Sequence, residues 1–347
     1  MKSDSTQVNQ LSQTYFSCPQ IHSGASEPTT DYSIVSARET SSLSDISGVL
    51  ENVIPHKALA GKLFWYILFC HVIPLVGATA ALGVLPWIAP TPAVLIVTTT
   101  LWCLSFGVGI SVGYHRLFSH RAFETSNLLK SVIAILGTMS GQGPVIAWVA
   151  LHRRHHQFSD LNGDPHSPLV DGKVPLSGLR GFWHSHFGWV LSYDMPNPMH
   201  YAPDLIKDRE LCSINRNFLY WFLFGLVAPG CIAGYYDHSW RSVGLGILWA
   251  GCLRVAVSSQ ITWCINSLCH LFGKASYDTH DHSTNLVWLA LPSFGEAWHN
   301  NHHASPASAA FGHRWWQIDL GYVVIQILAW CRLAWNVRPV AAVRVGE

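Results

Sequence analysis

The runs His152-Arg153-Arg154-His155-His156 and His299-Asn300-Asn301-His302-His303 repeat one pattern, with histidine at positions i, i+3 and i+4. On an α-helix those three side chains share a face within one turn, which presents several imidazoles to one or two metal ions. A further cluster, His115-Arg116-Leu117-Phe118-Ser119-His120, has its histidines five residues apart. On an ideal helix that spacing leaves the rings about 140° apart, so the helix must distort or end there. Asn266 and His270, four residues apart, share a helix face and add another pair. A single HxxHH run can be a polar helix face, but nine histidines and one asparagine gathered on one side of a membrane require a metal.

Ligand type alone does not choose the metal, because imidazole suits Zn, Cu, Fe and Ni. Number is more discriminating. One zinc ion with its usual four ligands would leave half of the set unused, whereas nine histidines fit two ions with four or five each. Neutral nitrogen ligands leave positive charge on the ions and room for ligands derived from O2. Oxidative attack on an unactivated C–H bond needs such a redox centre, since no side chain performs it.

The positioning elements are apolar. Of the 347 residues only 12% are charged and 49% are hydrophobic, with 16 Trp, and mean hydropathy is +0.22. That balance points to a chain in contact with lipid, and the net charge of +1 gives no sign of a nucleic-acid partner. Four stretches, about 63–82, 93–112, 218–235 and 243–265, approach the roughly 20 residues that span hydrocarbon. Gly225, Pro229 and Gly230 interrupt the third, and Arg254 in the fourth must pack inside a bundle. A buried soluble core is the competing reading for these last two. The segment Pro86–Pro92 is a tight turn that joins antiparallel neighbours.

Ten Lys or Arg lie in 114–217 and five from 266 onward, against Arg241 alone in the outer turns. The positive-inside rule therefore places both termini and the histidine clusters in the cytosol, on a multi-pass membrane protein. Residues 1–55 read as a mostly disordered tail, 56–336 as one domain with a cytosolic cap at 114–217 and 266–336, and 337–347 as a C-terminal tail. A weakly amphipathic helix over 318–335 is expected to lie at the interface. No CxxC pair is present, so Cys70, Cys103, Cys231, Cys252 and Cys264 read as reduced, buried thiols. A metal transporter would place its ligands near the bilayer midplane, not at span ends.

Six stretches resemble the membrane fatty acyl desaturases, in particular the bacterial members of the stearoyl-CoA (Δ9) branch. They are GYHRLFSHRAFE (Gly113–Glu124), HRRHHQFSD (His152–Asp160), GDPHSP (Gly163–Pro168), GFWHSHFGW (Gly181–Trp189), NSLCHLFGKASYD (Asn266–Asp278) and GEAWHNNHHASP (Gly295–Pro306). The resemblance covers about residues 60–336. It implies an all-α membrane fold, four transmembrane helices under a cytosolic helical cap that holds a histidine-ligated di-iron centre. By that resemblance the iron ligands are His115, His120, His152, His155, His156, His270, His299, His302 and His303, with Asn266 reaching one iron through water. Gln142, Trp148 and Thr262 match residues lining the bend of the acyl tunnel. For Trp148, ordinary helix packing is an equal alternative.

The reaction implied is O2-dependent introduction of a cis double bond, with position 9 expected, into a chain carried as CoA thioester or membrane lipid. Two iron ions are the cofactor, O2 the co-substrate, and a separate ferredoxin or cytochrome b5 the electron donor. His166, His184, His186, His280 and His282 are left off the ligand set, as loop or cap-surface residues that serve hydrogen bonding or solvation. Departures fall at Ala150, Leu151, Ser192 and Tyr193, where the animal enzymes carry charged residues that contact the CoA nucleotide, and at an insertion over 169–180. These departures favour a glycerolipid or an acyl-carrier-protein thioester as carrier, and the alternative on the same scaffold is an acyl-carrier-protein desaturase or acetylenase, or a fatty acyl hydroxylase.

Overall fold

The computed structural model describes residues 52–341. Most of the expected N-terminal tail, and 342–347 of the C-terminal one, lie outside the described residues. The last residues of the expected tail that are described are paired: β1 (Val53–Ile54) pairs with β5 (Met195–Pro196). At the other end the Arg338 N–H donates to the Ala122 carbonyl at 2.8 Å and the Ala341 N–H to Ser305 Oγ at 3.2 Å.

Four helices are long and apolar enough to cross a membrane: α1 (His56–Val84), α2 (Pro92–Ser119), α7 (Phe218–Asp237) and α8 (Trp240–Leu271). Each reaches past the apolar stretch read from the sequence. Between them lie the cap helices α3 (Asn127–Thr138), α4 (Val145–Phe158), α5 (Gly178–His186) and α6 (Arg209–Arg216). The cap is completed by α9 (His299–Ala304) and α10 (Leu320–Trp330). Two further two-stranded ladders staple it, β2 (Glu124–Thr125) with β6 (Ala334–Trp335) and β3 (Val170–Asp171) with β4 (Val174–Pro175). The last ladder is the insertion over 169–180, folded as a hairpin. The C-terminal helix is shorter than the expected 318–335, because Leu333 onward turns back to form β6. Trp315 and Trp330 on this segment are almost fully exposed. All five cysteines read as reduced are free, but Cys231 faces outward rather than inward.

Pro229 does not break α7. Proline lacks the N–H that would satisfy the carbonyl four residues earlier, Gly225. Arg254 of α8 replaces it, donating to the Gly225 carbonyl at 3.1 Å. The same guanidinium donates to the carbonyl of Met139, at the end of α3, to Ser105 Oγ on α2, and to Ala250. A fully buried guanidinium thus serves carbonyls of three elements, α3, α7 and α8 itself. Where α2 crosses α3, Gly109 and Gly137 touch backbone to backbone: a Cβ on Gly109 would lie 2.3 Å from the Gly137 nitrogen.

Replacing Arg254 by Leu should destabilise the fold by roughly 3 kcal/mol or more, as several buried acceptors lose their donor. Thermal unfolding of detergent-solubilised protein measures this. Adding Pro229→Ala should restore part of the loss, since Gly225 regains a helical donor.

Candidate metal centre

The first histidine cluster required a distorted helix, and α2 supplies one. From Cys103 to Ser119 it runs as a π-helix with hydrogen bonds five residues apart. The His120 N–H donates to the His115 carbonyl at 3.2 Å, so two residues spaced by five meet on one side of the chain. Arg153 fixes that end by donating to the carbonyls of Phe118 and Ser119 at 2.8 and 3.0 Å, and to Asp204. Arg154 is buried and donates to the Gly163 carbonyl and to the hydroxyls of Tyr193 and Tyr201. The arginines inside the second cluster are therefore framework, aimed away from the rings they separate.

The short helix α9 is held by its own asparagines. Asn300 Oδ1 accepts the N–H groups of Ser276 and Tyr277 at 2.6 and 2.8 Å. Asn301 donates to the Phe311 carbonyl at 2.8 Å and to Gln317 Oε1 at 3.0 Å.

All nine histidines named from the sequence converge, in two groups whose nitrogens lie within 4.8 Å of one another. One contains His115, His120, His152, His156 and His302; the other contains His155, His270, His299 and His303. Each i, i+3, i+4 triad is therefore shared between the groups, with His155 turned to one and its neighbours to the other. The Nε2 atoms pair at 2.8–3.0 Å: His115 with His302, His302 with His156, His120 with His152, and His270 with His299. The Nε2 atoms of His155 and His303 are buried without a hydrogen-bond partner among the described residues.

Four carboxylates, which the sequence reading gave no role, hold the other side of four rings. Glu296 contacts His115 Nδ1, Asp164 contacts His155 Nδ1 at 3.0 Å, Asp160 contacts His270 Nδ1 at 2.8 Å, and Asp281 contacts His303 Nδ1 at 2.5 Å. A carboxylate only accepts, so a neutral ring keeps its proton on Nδ1 and turns its Nε2 lone pair inward. Burial alone would raise the four carboxyls. The facing imidazoles, aided at Glu296 by Arg116, instead hold all four below the usual carboxylate range, and therefore charged. Burial, and after it neighbouring rings, lowers His120, His152, His156, His299 and His302 well below the ordinary histidine range, which keeps them neutral as metal ligands must be.

At Nε2–Nε2 separations of 2.8–3.0 Å one ring's N–H can donate to its neighbour, and where both rings present lone pairs a cation must lie between them. That spacing is what neighbouring ligands have around an ion about 2.1 Å from each nitrogen. The donor set therefore fits bound metal. Arg116, completely buried, extends the support by donating to Asp319 at 2.9 Å while lying 3.3 Å from Glu296. Asp319 in turn caps α10 through the Tyr322 N–H at 2.9 Å. Gly321 must lack a side chain, since a Cβ there would sit 1.8 Å from Arg116 Nη1.

Asn266, Gln142, Trp148 and Thr262 all line one cavity, together with His152. Gln142 also donates to Ser259 Oγ at 3.2 Å, and the Trp148 ring stacks on His152 with centroids 5.1 Å apart. Two histidines assigned to loops or cap surface are instead buried. His166 packs 4.4 Å from His155 and is pushed by burial, then by that ring, to about 3. His184 faces Asp171 at 3.8 Å. His186 bridges Ser267 and Gln260 of α8 at 3.0 and 3.1 Å, whereas His280 and His282 are exposed as expected. The carboxylates did leave a trace in sequence: Glu296 precedes His299 by one helical turn, and Asp160 and Asp164 follow His156 closely.

Glu296→Gln should lower metal affinity about 10- to 100-fold by releasing the tautomer and orientation of His115. Metal content of the purified variant after timed chelator challenge, compared with the unmodified protein, measures it.

A family model described as fatty acid desaturase matches residues 90–326. A hex-5-enoyl-acyl-carrier protein acetylenase from Moorena producens is 45% identical over 275 residues, covering 79% of this chain and 85% of that protein. An sn-1 stearoyl-lipid 9-desaturase from Anabaena variabilis is 37% identical over 243 residues, covering 70% and 83%. Delta-9 acyl-lipid desaturase 1 from Arabidopsis thaliana is 36% identical over 238 residues, covering 67% and 71%. The chain belongs to the fatty acid desaturase family, whose members are oxidoreductases acting on fatty acyl chains.

Proposed function

We propose that this desaturase holds two irons and uses O2 to introduce a cis double bond, expected at position 9, into an acyl chain. His115, His120, His152, His156 and His302 would hold one iron. His155, His270, His299 and His303 would hold the other, with Asn266 completing it through water. The observation that carries this reading is the meeting of two buried, inward-turned imidazole groups with a cavity that borders His152. Bound iron supplies what no side chain can, the activation of O2 for hydrogen removal from an unactivated C–H bond. In the overall balance two hydrogens leave the chain, and O2 with two external electrons and two protons becomes two waters. A separate protein, ferredoxin or cytochrome b5 in type, would deliver those electrons.

The chain's own residues fix the geometry. Glu296, Asp164, Asp160 and Asp281 hold four rings in orientation. Gln142, Trp148 and Thr262 would shape the acyl path, and the apolar cavity walls exclude water from the reacting methylenes. The four long helices support a multi-pass membrane protein, and the distribution of Lys and Arg supports a cytosolic site. Residues 56–336 would act as one unit.

The carrier is better read as a membrane lipid than as CoA. Ala150 is buried in the core, and the Tyr193 hydroxyl is engaged with Arg154. Neither position offers a cation to a nucleotide phosphate. The same absence, with the 45% identical acetylenase, supports a second reading in which the chain rides on acyl-carrier protein and an alkene becomes an alkyne.

Expression in a desaturase-deficient host followed by mass spectrometry of total lipids and acyl-carrier-protein thioesters decides among these. Products two mass units lighter than a saturated precursor are expected. Loss of two from an alkene indicates an acetylenase, and a gain of sixteen, a hydroxylase, would overturn the proposal. His155→Ala and His302→Ala should each abolish product and reduce bound iron.

A further inference from the structure

Among the described residues, His71 is an imidazole in the apolar part of the molecule that lacks a hydrogen-bond partner at both ring nitrogens. His71 lies on α1 within Leu68–Val72, a turn where the helix opens to the wider π spacing. Such insertions re-aim a side chain and are frequent at functional sites. The residue is 9% exposed, and both ring nitrogens are buried with no hydrogen-bond partner among the described residues. Ionisable groups in membrane spans are costly and are rarely left without a task.

Its surroundings narrow what that task is. The ring packs at 5.0 Å from both Tyr66 and Trp263 and 6.1 Å from Phe187, so its immediate neighbours are aromatic faces. It lines the same cavity as Gln142, Thr262 and His152. An imidazole always carries at least one N–H, which needs an acceptor. The methylenes of a saturated chain offer none. The carbonyl oxygen joining the chain to its carrier is the acceptor every acyl substrate brings, whether ester or thioester.

We propose that His71 donates a hydrogen bond to the substrate's acyl carbonyl and so sets the number of methylenes between that carbonyl and the histidine groups. This rests on the desaturase reading above and deepens it, because one fixed end turns cavity length into double-bond position. Trp263, beside His71 on the fourth span, closes the other side of the ring and limits where the carbonyl can sit.

The test uses the full-length protein in a desaturase-deficient host, with His71→Phe and His71→Gln as variants. Phenylalanine keeps a ring against Tyr66 and Trp263 but has no N–H; glutamine keeps a donor. Double-bond positions are mapped by mass spectrometry of derivatised total fatty acids, and iron is measured on purified protein. His71→Phe should retain iron yet raise the share of minor positional isomers about tenfold, the effect of one neutral hydrogen bond on register. His71→Gln should return the pattern to that of the unmodified protein. An unchanged isomer pattern in His71→Phe would overturn the proposal, as would equal loss of product in both variants, which marks the ring as packing only. Absence of any unsaturated product from the unmodified protein would instead count against the desaturase reading itself.

Discussion

The structure depends on nine imidazoles being held with their ring nitrogens facing one another in a buried interior. Without a cation, rings 2.8–3.0 Å apart at Nε2 can share at most one proton per pair, and the Nε2 atoms of His155 and His303 have no partner among the described residues. Two things make it tenable. A cation within each group would turn the unshared lone pairs into coordination, and charged carboxylates behind the rings offset the cationic charge. Each carboxylate is in turn kept ionised by what it touches, so the site is charged in layers, with negative groups outside and nitrogen lone pairs inside.

The rest of the fold serves this arrangement. The π-helical end of α2 lets His115 and His120 meet although their spacing forbids it on an ordinary helix. Arg153 and Arg154 anchor that end and the loop carrying Asp164, while Arg116 couples Glu296 to the cap of α10. Below the site, Arg254 closes the carbonyls that Pro229 and the end of α3 leave open. Buried arginines recur because a guanidinium presents five donors in a fixed fork and can serve several carbonyls at once. None of these arginines faces the inward nitrogens.

Much of this was legible in the sequence. The triads stood out because i, i+3, i+4 spacing has one geometric meaning, and the spans because some twenty apolar residues have few other uses. The carboxylates lay close to the clusters but their partners were hidden, since nothing local ties Asp160 to His270 or Glu296 to His115 across more than a hundred residues. Counting also missed how each triad divides: a helix face can be wide enough to serve two ions, and His155 turns from His152 and His156. His166 and His184 read as loop or cap-surface residues, and both are buried; the loop bearing Asp164 and His166 folds inward to reach His155. Strands of two residues, such as those tying Ile54 to Met195, carry no pattern long enough to detect.

The most direct measurement is iron quantification together with X-ray absorption at the iron edge on the purified, active, full-length protein. The expected result is two irons per chain, each with a first shell of imidazole nitrogens at about 2.1 Å. Active protein with one iron or none, or a first shell dominated by sulfur, would contradict the account.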